Sequence, residues 1–331
     1  MSEYSLGTIH GANYSFLPIT RPKLLKFYET QRDVFWVPQE IKYSSDRSDF
    51  LKLDAGTQEF IKFVLAFFAQ ADGIINENLI DSFQKDTRRY KEAGYFYIIQ
   101  AAIELIHNET YSLLINAIIT DADERNKVLD GVHNYPEVGA IADWMFKWMS
   151  LRKGPFEDLT NLRERIVAFA CIEGVVFSSA FAAVYWLKKK NVLPGLCKAN
   201  EFIARDERIH TLFAVELYHE LVRELPPLSN KRIAEIISSA VDLTETFTRS
   251  ALKVDLIGMN ADEMIKYVKC TANGLYSLFT NTLTKLYDVT NPFLWMITIG
   301  LSNKTNFFES TVTEYAKEEA GDDEFDTDAA F

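Results

Sequence analysis

The chain has 331 residues, 48% of them apolar and 25% charged, with a formal net charge of -12. That composition supports a substantial core and excludes a disordered chain. The acidic balance argues against a nucleic-acid backbone or an anionic membrane surface as the main partner, and no basic patch interleaved with aromatics is present. Three cysteines, Cys171, Cys197 and Cys270, are scattered without paired spacing, which fits a reducing compartment such as the cytoplasm. The start "MSEYSLGTIHGANYS" lacks a basic segment followed by an apolar run, so a secretory signal is not expected.

Taken in chain order, apolar residues recur with helical spacing and strand-like alternation is nearly absent. The periodicity predicts helices over Ser48–Lys85, Thr87–Ile119, Ala122–Asn134, Pro136–Leu151, Leu159–Lys189, Leu196–Leu225, Ser229–Ile257 and Ala261–Leu286. Asp121 and Ser229 are expected N-caps, and "NVLPG" (Asn191–Gly195) a turn between two long helices. From Ile166 to Leu187 the chain is apolar enough to span a bilayer. Glu173 sits inside that run, however, and being apolar all round also describes the central helix of a large helical protein. No membrane is expected. From Ala316 the chain reads "AKEEAGDDEFDTDAAF", an acidic tail without helical periodicity that ends in phenylalanine.

The chemistry concentrates in a few positions. In "AAIELIHNETYSLL" the polar residues Glu104, His107, Asn108 and Tyr111 share one helical face. Glu104 and His107 form E-x-x-H, and a second E-x-x-H joins Glu207 to His210 in "RDERIH". At that spacing two side chains project from one helix face and can hold one metal ion. Glu173, alone in "AFACIEGVVF", has no Lys or Arg within a turn, so a buried carboxylate there needs a cation or hydrogen bonds. Asp72, in "FFAQADGIINENL", follows an apolar stripe that continues through Ile75 and Leu79; it either faces inward or marks a helix break at Asp72-Gly73. Four carboxylates and two imidazoles on four long helices match the ferritin-like di-metal arrangement, and the oxygen/nitrogen donors suit iron or manganese. No phosphate-binding glycine loop and no nucleophile elbow is present. The expected architecture is an all-α ferritin-like bundle with a di-metal carboxylate site in its core.

The same motifs, with "DVFWVPQEI", "RIVAFACIEGVVFSSAFA", "LPGLCKANEFIARDERIH" and "KTNFFE", resemble the radical-generating small subunit of class I ribonucleotide reductase, in its eukaryotic and viral form, over nearly the whole chain. The resemblance implies that Asp72, Glu104, His107, Glu173, Glu207 and His210 bind two iron ions, manganese being the alternative. It implies that Tyr111 becomes a stored radical, generated with dioxygen, inside an apolar pocket of Phe177, Phe181 and Ile203. Trp36 and Asp206 match a relay joining His107 to the surface, and Tyr315 matches a tail tyrosine that passes the oxidising equivalent on. The ending "FDTDAAF", with Phe325 and Phe331, looks like a docking peptide for the large subunit. Residues 1–303 would then form the ferritin-like domain with an N-terminal arm, and 304–331 the docking tail of a homodimeric subunit. His10, His133 and His219 match no ligand and are expected to be surface or core residues, and Asn108 has no specific role. The sequence departs from the family in one extra residue between Asp72 and Glu104, placed in "QKDTRRYKEAG", and in a variant tail. Rival readings are another di-metal oxidase or hydroxylase on the same bundle, or a non-catalytic metal-binding homologue.

Overall fold

Asp54, Asp121, Ser229 and Asn260 each accept a hydrogen bond from the backbone N–H three residues on, at 2.8–3.1 Å, and each starts a helix. The computed structural model describes residues 15–153, 159, 161–252, 259–293 and 296, and no strand occurs among them. The main helices are α1 (Pro22–Asp33), α2 (Ala55–Asn78), α3 (Lys91–Ile118), α4 (Ala122–Leu129) and α5 (Pro136–Met149). They continue with α6 (Leu162–Lys189), α7 (Pro194–Leu221), α8 (Asn230–Ala251) and α9 (Ala261–Thr280). α2 packs along α3 and α6 along α7, and α3 meets α7, so four long helices enclose one core. The two expected N-caps, Asp121 and Ser229, are both in place.

Several boundaries differ from expectation for local reasons. The helix expected from Ser48 begins at Ala55, behind the Asp54 cap, after a short separate helix Asp46–Phe50. Helicity runs through Asp72 and Gly73, so the break expected as an alternative does not occur. The helix expected from Thr87 begins at Lys91, because the Thr87 hydroxyl bonds back to the Phe83 carbonyl at 2.7 Å and the chain turns there. Asp130 separates α4 from a short helix Gly131–Asn134; a Cβ at Gly131 would lie 2.7 Å from the Ala66 carbonyl oxygen, so the chain crosses α2 there at backbone distance. α9, expected to run to Leu286, ends at Thr280, where Asn281 adopts φ 50°. α1 was not expected: "PKLLKFYETQRD" buries only Leu24, Leu25 and Gln31, too few for a clear apolar stripe. The apolar run in α6 is wholly enclosed by other helices, which accounts for a helix greasy on every side.

α6 is not uniform. Its central turn, Ile172–Val176, is a π-turn in which the Phe177 N–H bonds the Ile172 carbonyl. The extra residue shifts the register of the side chains, and single π-turns inside α-helices often accompany functional positions. Here the turn carries Glu173.

Candidate metal centre

All six candidate ligands are buried: Asp72 on α2, Glu104 and His107 on α3, Glu173 in the π-turn of α6, and Glu207 and His210 on α7. They fall into two overlapping groups whose donor atoms lie within 4.8 Å of one another: Glu104, Glu173, Glu207 and His210, and Asp72, Glu104 and His107. Glu104 belongs to both. Glu207 also faces both: one oxygen is 3.0 Å from His107 Nδ1, the other 2.9 Å from His210 Nδ1. His210 Nδ1 is also 3.0 Å from a Glu104 oxygen.

The hydrogen bonding shows which atoms are left for a metal. His107 Nε2 lies 3.2 Å from Asp206 Oδ2, a carboxylate that can only accept, and this leaves Nδ1 to face Glu104 and Glu207. Both Asp72 oxygens, Glu104 Oε2, Glu173 Oε2, Glu207 Oε1 and His107 Nδ1 have no hydrogen-bond partner among the described residues. Buried acceptors turned toward one another repel unless a cation lies among them. This donor set fits two hard, divalent, oxygen- and nitrogen-binding ions.

The electrostatics agree. Burial, and then Glu104, push the Asp72 carboxyl well above its ordinary value. Burial followed by Glu207 and Glu104 does the same to Glu173. For Glu207 burial opposes ionisation, yet the charge of His210 and close contacts with Glu173 and His107 hold it below the usual carboxylate range. Burial works against a charge on His210 too, but Glu207 and Glu104 push it up to about 9. Crowded carboxylates that raise one another mark a place where positive charge is the missing term.

Tyr111 lies one helical turn beyond His107 and is buried. Its ring stacks on Phe68 at 4.6 Å, nearly parallel, and Phe68 in turn meets Phe177 at 5.8 Å and Phe181 at 5.2 Å. Phe68 is the aromatic neighbour that the sequence reasoning missed; Phe177 and Phe181 were expected, and Ile203 is buried on α7. Each buried phenylalanine contributes about 2–3 kcal/mol of apolar burial, so this wall is also core.

On the Nε2 side of His107 the residues expected to form a relay meet. Trp36, itself buried, donates its indole N–H to Asp206 Oδ2 at 2.7 Å, the oxygen that also accepts from His107. Asp206 Oδ1 accepts from Gln31 Nε2 at 3.1 Å and from Arg205. Gln31, Arg205 and Gln100 were absent from the expected site. Gln100, buried one turn before Glu104, reaches Glu104 Oε1 at 3.3 Å and Glu173 Oε1 at 3.4 Å. Its helical spacing from Glu104 was the available signal. Asn108 also gains a place: it donates to the Ala69 carbonyl at 2.8 Å, and Asn76 donates to the Ala101 carbonyl at 3.1 Å, so α2 and α3 are stitched in both directions around the site. His133 is exposed beside Asp130, and His219 bonds the Leu278 carbonyl, as surface and core residues do. Tyr315, Phe325, Phe331 and His10 lie outside the described residues.

Comparison with known proteins points the same way. The family described as ribonucleotide reductase, small chain, matches residues 13–292. The chain is 39% identical over 322 residues to the ribonucleoside-diphosphate reductase small chain of Encephalitozoon cuniculi (strain GB-M1), covering 96% of this chain and 95% of that one. It is 41% identical over 304 residues to the corresponding small chain of Vaccinia virus (strain Ankara), covering 92% and 91%. Among solved structures, the ribonucleotide reductase Rnr4 homodimer from Saccharomyces cerevisiae superposes with a TM-score of 0.76 at 29% identity, over 92% of this chain and 90% of that one. The match runs through all four ligand-bearing helices and the buried donors they bring together, and the chain belongs to the ribonucleotide reductase small-chain family.

Proposed function

We propose that this chain is the radical-generating small subunit of a ribonucleoside-diphosphate reductase, acting with a separate large subunit that binds and reduces the ribonucleotide. The observation that supports this most is on α3: a third of the ligand set, Glu104 and His107, and Tyr111 stand on consecutive turns of one buried face. Asp72, Glu104 and His107 would hold one ion, and Glu173, Glu207 and His210 would hold the other with Glu104 shared between them. Iron suits these donors, with manganese the alternative. Once bound and reduced, the metal pair supplies the oxidising power, drawn from dioxygen, that takes one electron from Tyr111.

The side chains do the rest. Tyr111 gives up its electron and its phenolic proton, and the Phe68, Phe177 and Phe181 wall with Ile203 keeps water and reductants from the ring. Asp206 holds Trp36 and His107 by one oxygen, so a hydrogen-bonded path leads from the metal ligand to Trp36. Tyr315 would extend that path, and the 304–331 tail, through Phe325 and Phe331, would dock the large subunit against the 1–303 domain. The subunit would be cytoplasmic, and the product, deoxyribonucleotide, would serve as a precursor for DNA synthesis. The subunit would work as a homodimer. The outer face of α3 supports this, with Ile98 57%, Leu105 61% and Leu113 37% exposed.

Electron paramagnetic resonance after adding ferrous iron and dioxygen tests the reading. The wild-type chain is expected to show a tyrosyl signal that Tyr111→Phe abolishes while binding the same amount of iron. A wild type silent with both iron and manganese would overturn it.

A further inference from the structure

The end of α1 is held on the bundle by polar contacts. Beyond Leu24 and Leu25 its only buried residue is Gln31. From Gln31 to Trp36 the chain is gripped at three points by two adjacent residues of α7. Gln31 donates from Nε2 to Asp206 Oδ1 at 3.1 Å, the Val34 carbonyl accepts from Arg205 at 2.7 Å, and the Trp36 indole N–H donates to Asp206 Oδ2 at 2.7 Å. The Asp206 carboxylate is therefore pinned at both oxygens, and Oδ2 also lies 3.2 Å from His107 Nε2. We propose that Gln31 is a positioning residue for electron passage through Trp36: it sets the rotation of the Asp206 carboxylate so that one oxygen serves Trp36 and His107 at once. The inference rests on the radical-generating function proposed above.

A carboxylate turns about its last bond with little intrinsic preference, so its donors decide where its oxygens lie. Arg205 reaches Oδ1 as well, at 3.1 Å, but its side chain is 26% exposed and shared with the Val34 carbonyl. Gln31 is wholly enclosed, so water does not replace its bond. Because a carboxylate only accepts, the Gln31 amide must turn its NH₂ toward Asp206. Its own Oε1 is then left without a hydrogen-bond partner among the described residues. An amide that leaves its oxygen unpaired to reach Asp206 is kept in that orientation at a cost to stability. The Trp36 ring is held separately, by Phe202 at 5.1 Å and His107 at 6.0 Å between ring centres. Loss of Gln31 therefore acts on the hydrogen bond to Trp36 and not on the place of the ring.

Two readouts test this in Gln31→Met, which keeps an unbranched side chain of similar length and removes the donor. In metal-free protein labelled with ¹⁵N in its five tryptophans, the Trp36 indole N–H, assigned by its loss in Trp36→Phe, is expected to exchange slowly with deuterium. In Gln31→Met it is expected to exchange about tenfold faster or more, with the other four indoles unchanged. With the large subunit, ribonucleotide reduction per Tyr111 radical is expected to fall about tenfold, while iron content, radical yield and affinity for the large subunit stay as in wild type. An unchanged Trp36 exchange rate, or wild-type turnover per radical, overturns the proposal. If Gln31→Met does not fold, Gln31→Asn, whose amide falls short of Asp206, decides by the same two readouts. A wild type that forms no tyrosyl radical defeats the functional reading instead, and the exchange rates still decide whether Gln31 holds the Trp36 bond.

Discussion

Two buried tyrosines on α3 present the same problem and resolve it differently. Tyr97 and Tyr111 are both enclosed, and neither hydroxyl has a hydrogen-bond partner among the described residues. Burial raises both phenols. Oxidation of a phenol, however, requires that its proton leave with the electron, and a base must be near. The charges that bear on Tyr111 after burial are the carboxylates of Asp72, Glu207 and Glu104. Those that bear on Tyr97 begin with the guanidinium of Arg165, followed by Asp86. Tyr97→Phe is therefore expected to keep the tyrosyl resonance that Tyr111→Phe loses. Gln100 makes a second case at this scale. Its amide holds Glu104 and Glu173 at once, across α3 and α6. Removing a partner that orients ligands typically costs about 10–100-fold in metal affinity. Gln100→Leu, similar in size, is expected to weaken metal binding within that range in an equilibrium titration while the apo-protein unfolds as wild type does; unchanged affinity would show that the two glutamates hold their positions unaided.

Buried carboxylates fix the start of α7, which carries Glu207 and His210, and the start of α1. Asp46 accepts from the N–H groups of Gly195 and Leu196 at 2.8 and 2.7 Å, at the first turn of α7. Gly195 is required there, because a Cβ would lie 2.7 Å from the Lys42 carbonyl oxygen and 2.8 Å from Asp46 Oδ2. Asp46→Ala leaves two buried donors without an acceptor and is expected to cost about 2 kcal/mol, read as a lower urea midpoint with unchanged slope. Glu92 does the same for α1, accepting from the Thr20 and Arg21 N–H groups at 2.6 and 3.2 Å. Burial pushes its carboxyl up, but those donors, its own N–H and the Thr20 hydroxyl hold it below the ordinary value of 4.5. A group depressed in the folded state stabilises the fold above its unfolded value, and that contribution is lost as pH falls through the folded one. Urea midpoints should therefore fall on acidification below pH 4.5 more steeply in wild type than in Glu92→Gln; parallel curves would show that Glu92 contributes nothing to the pH dependence. These contacts also mark what the sequence could reveal. Glu104–His107 and Glu207–His210 were legible because both ligands of each pair sit on one helix at fixed spacing. Glu173 was legible as a charge in an apolar run, but the π-turn that presents it was not, since the turn arises from packing rather than from any residue type. Phe68 and Gln31 stayed hidden because nothing local separates them from ordinary core residues and their partners lie on other helices; for Gln100 the one local signal was its spacing from Glu104, and its second partner, Glu173, lies on α6.

At the scale of the molecule, α3 has two faces with different tasks. The inward face carries Glu104, His107 and Tyr111; the outward face exposes Ile98, Leu105 and Leu113. A chain with net charge -12 repels its own copies at long range, so a dimer needs an apolar seam to outweigh that repulsion. An apolar stripe along a helix already fixed on its other side by the bundle is a ready, rigid half of such a seam. Leu105→Glu places a carboxylate in the middle of the stripe, and across a two-fold axis it meets its own copy. Sedimentation at micromolar protein is expected to show a dimer for wild type and a monomer for Leu105→Glu. Raising the salt screens the two carboxylates but does not restore their solvation, so the variant is expected to stay largely monomeric. Because Leu105 is exposed where Glu104 is buried, the metal ligands should be left in place, and the variant should still bind metal. A Leu105→Glu protein that remains dimeric would assign the seam to another face of the bundle.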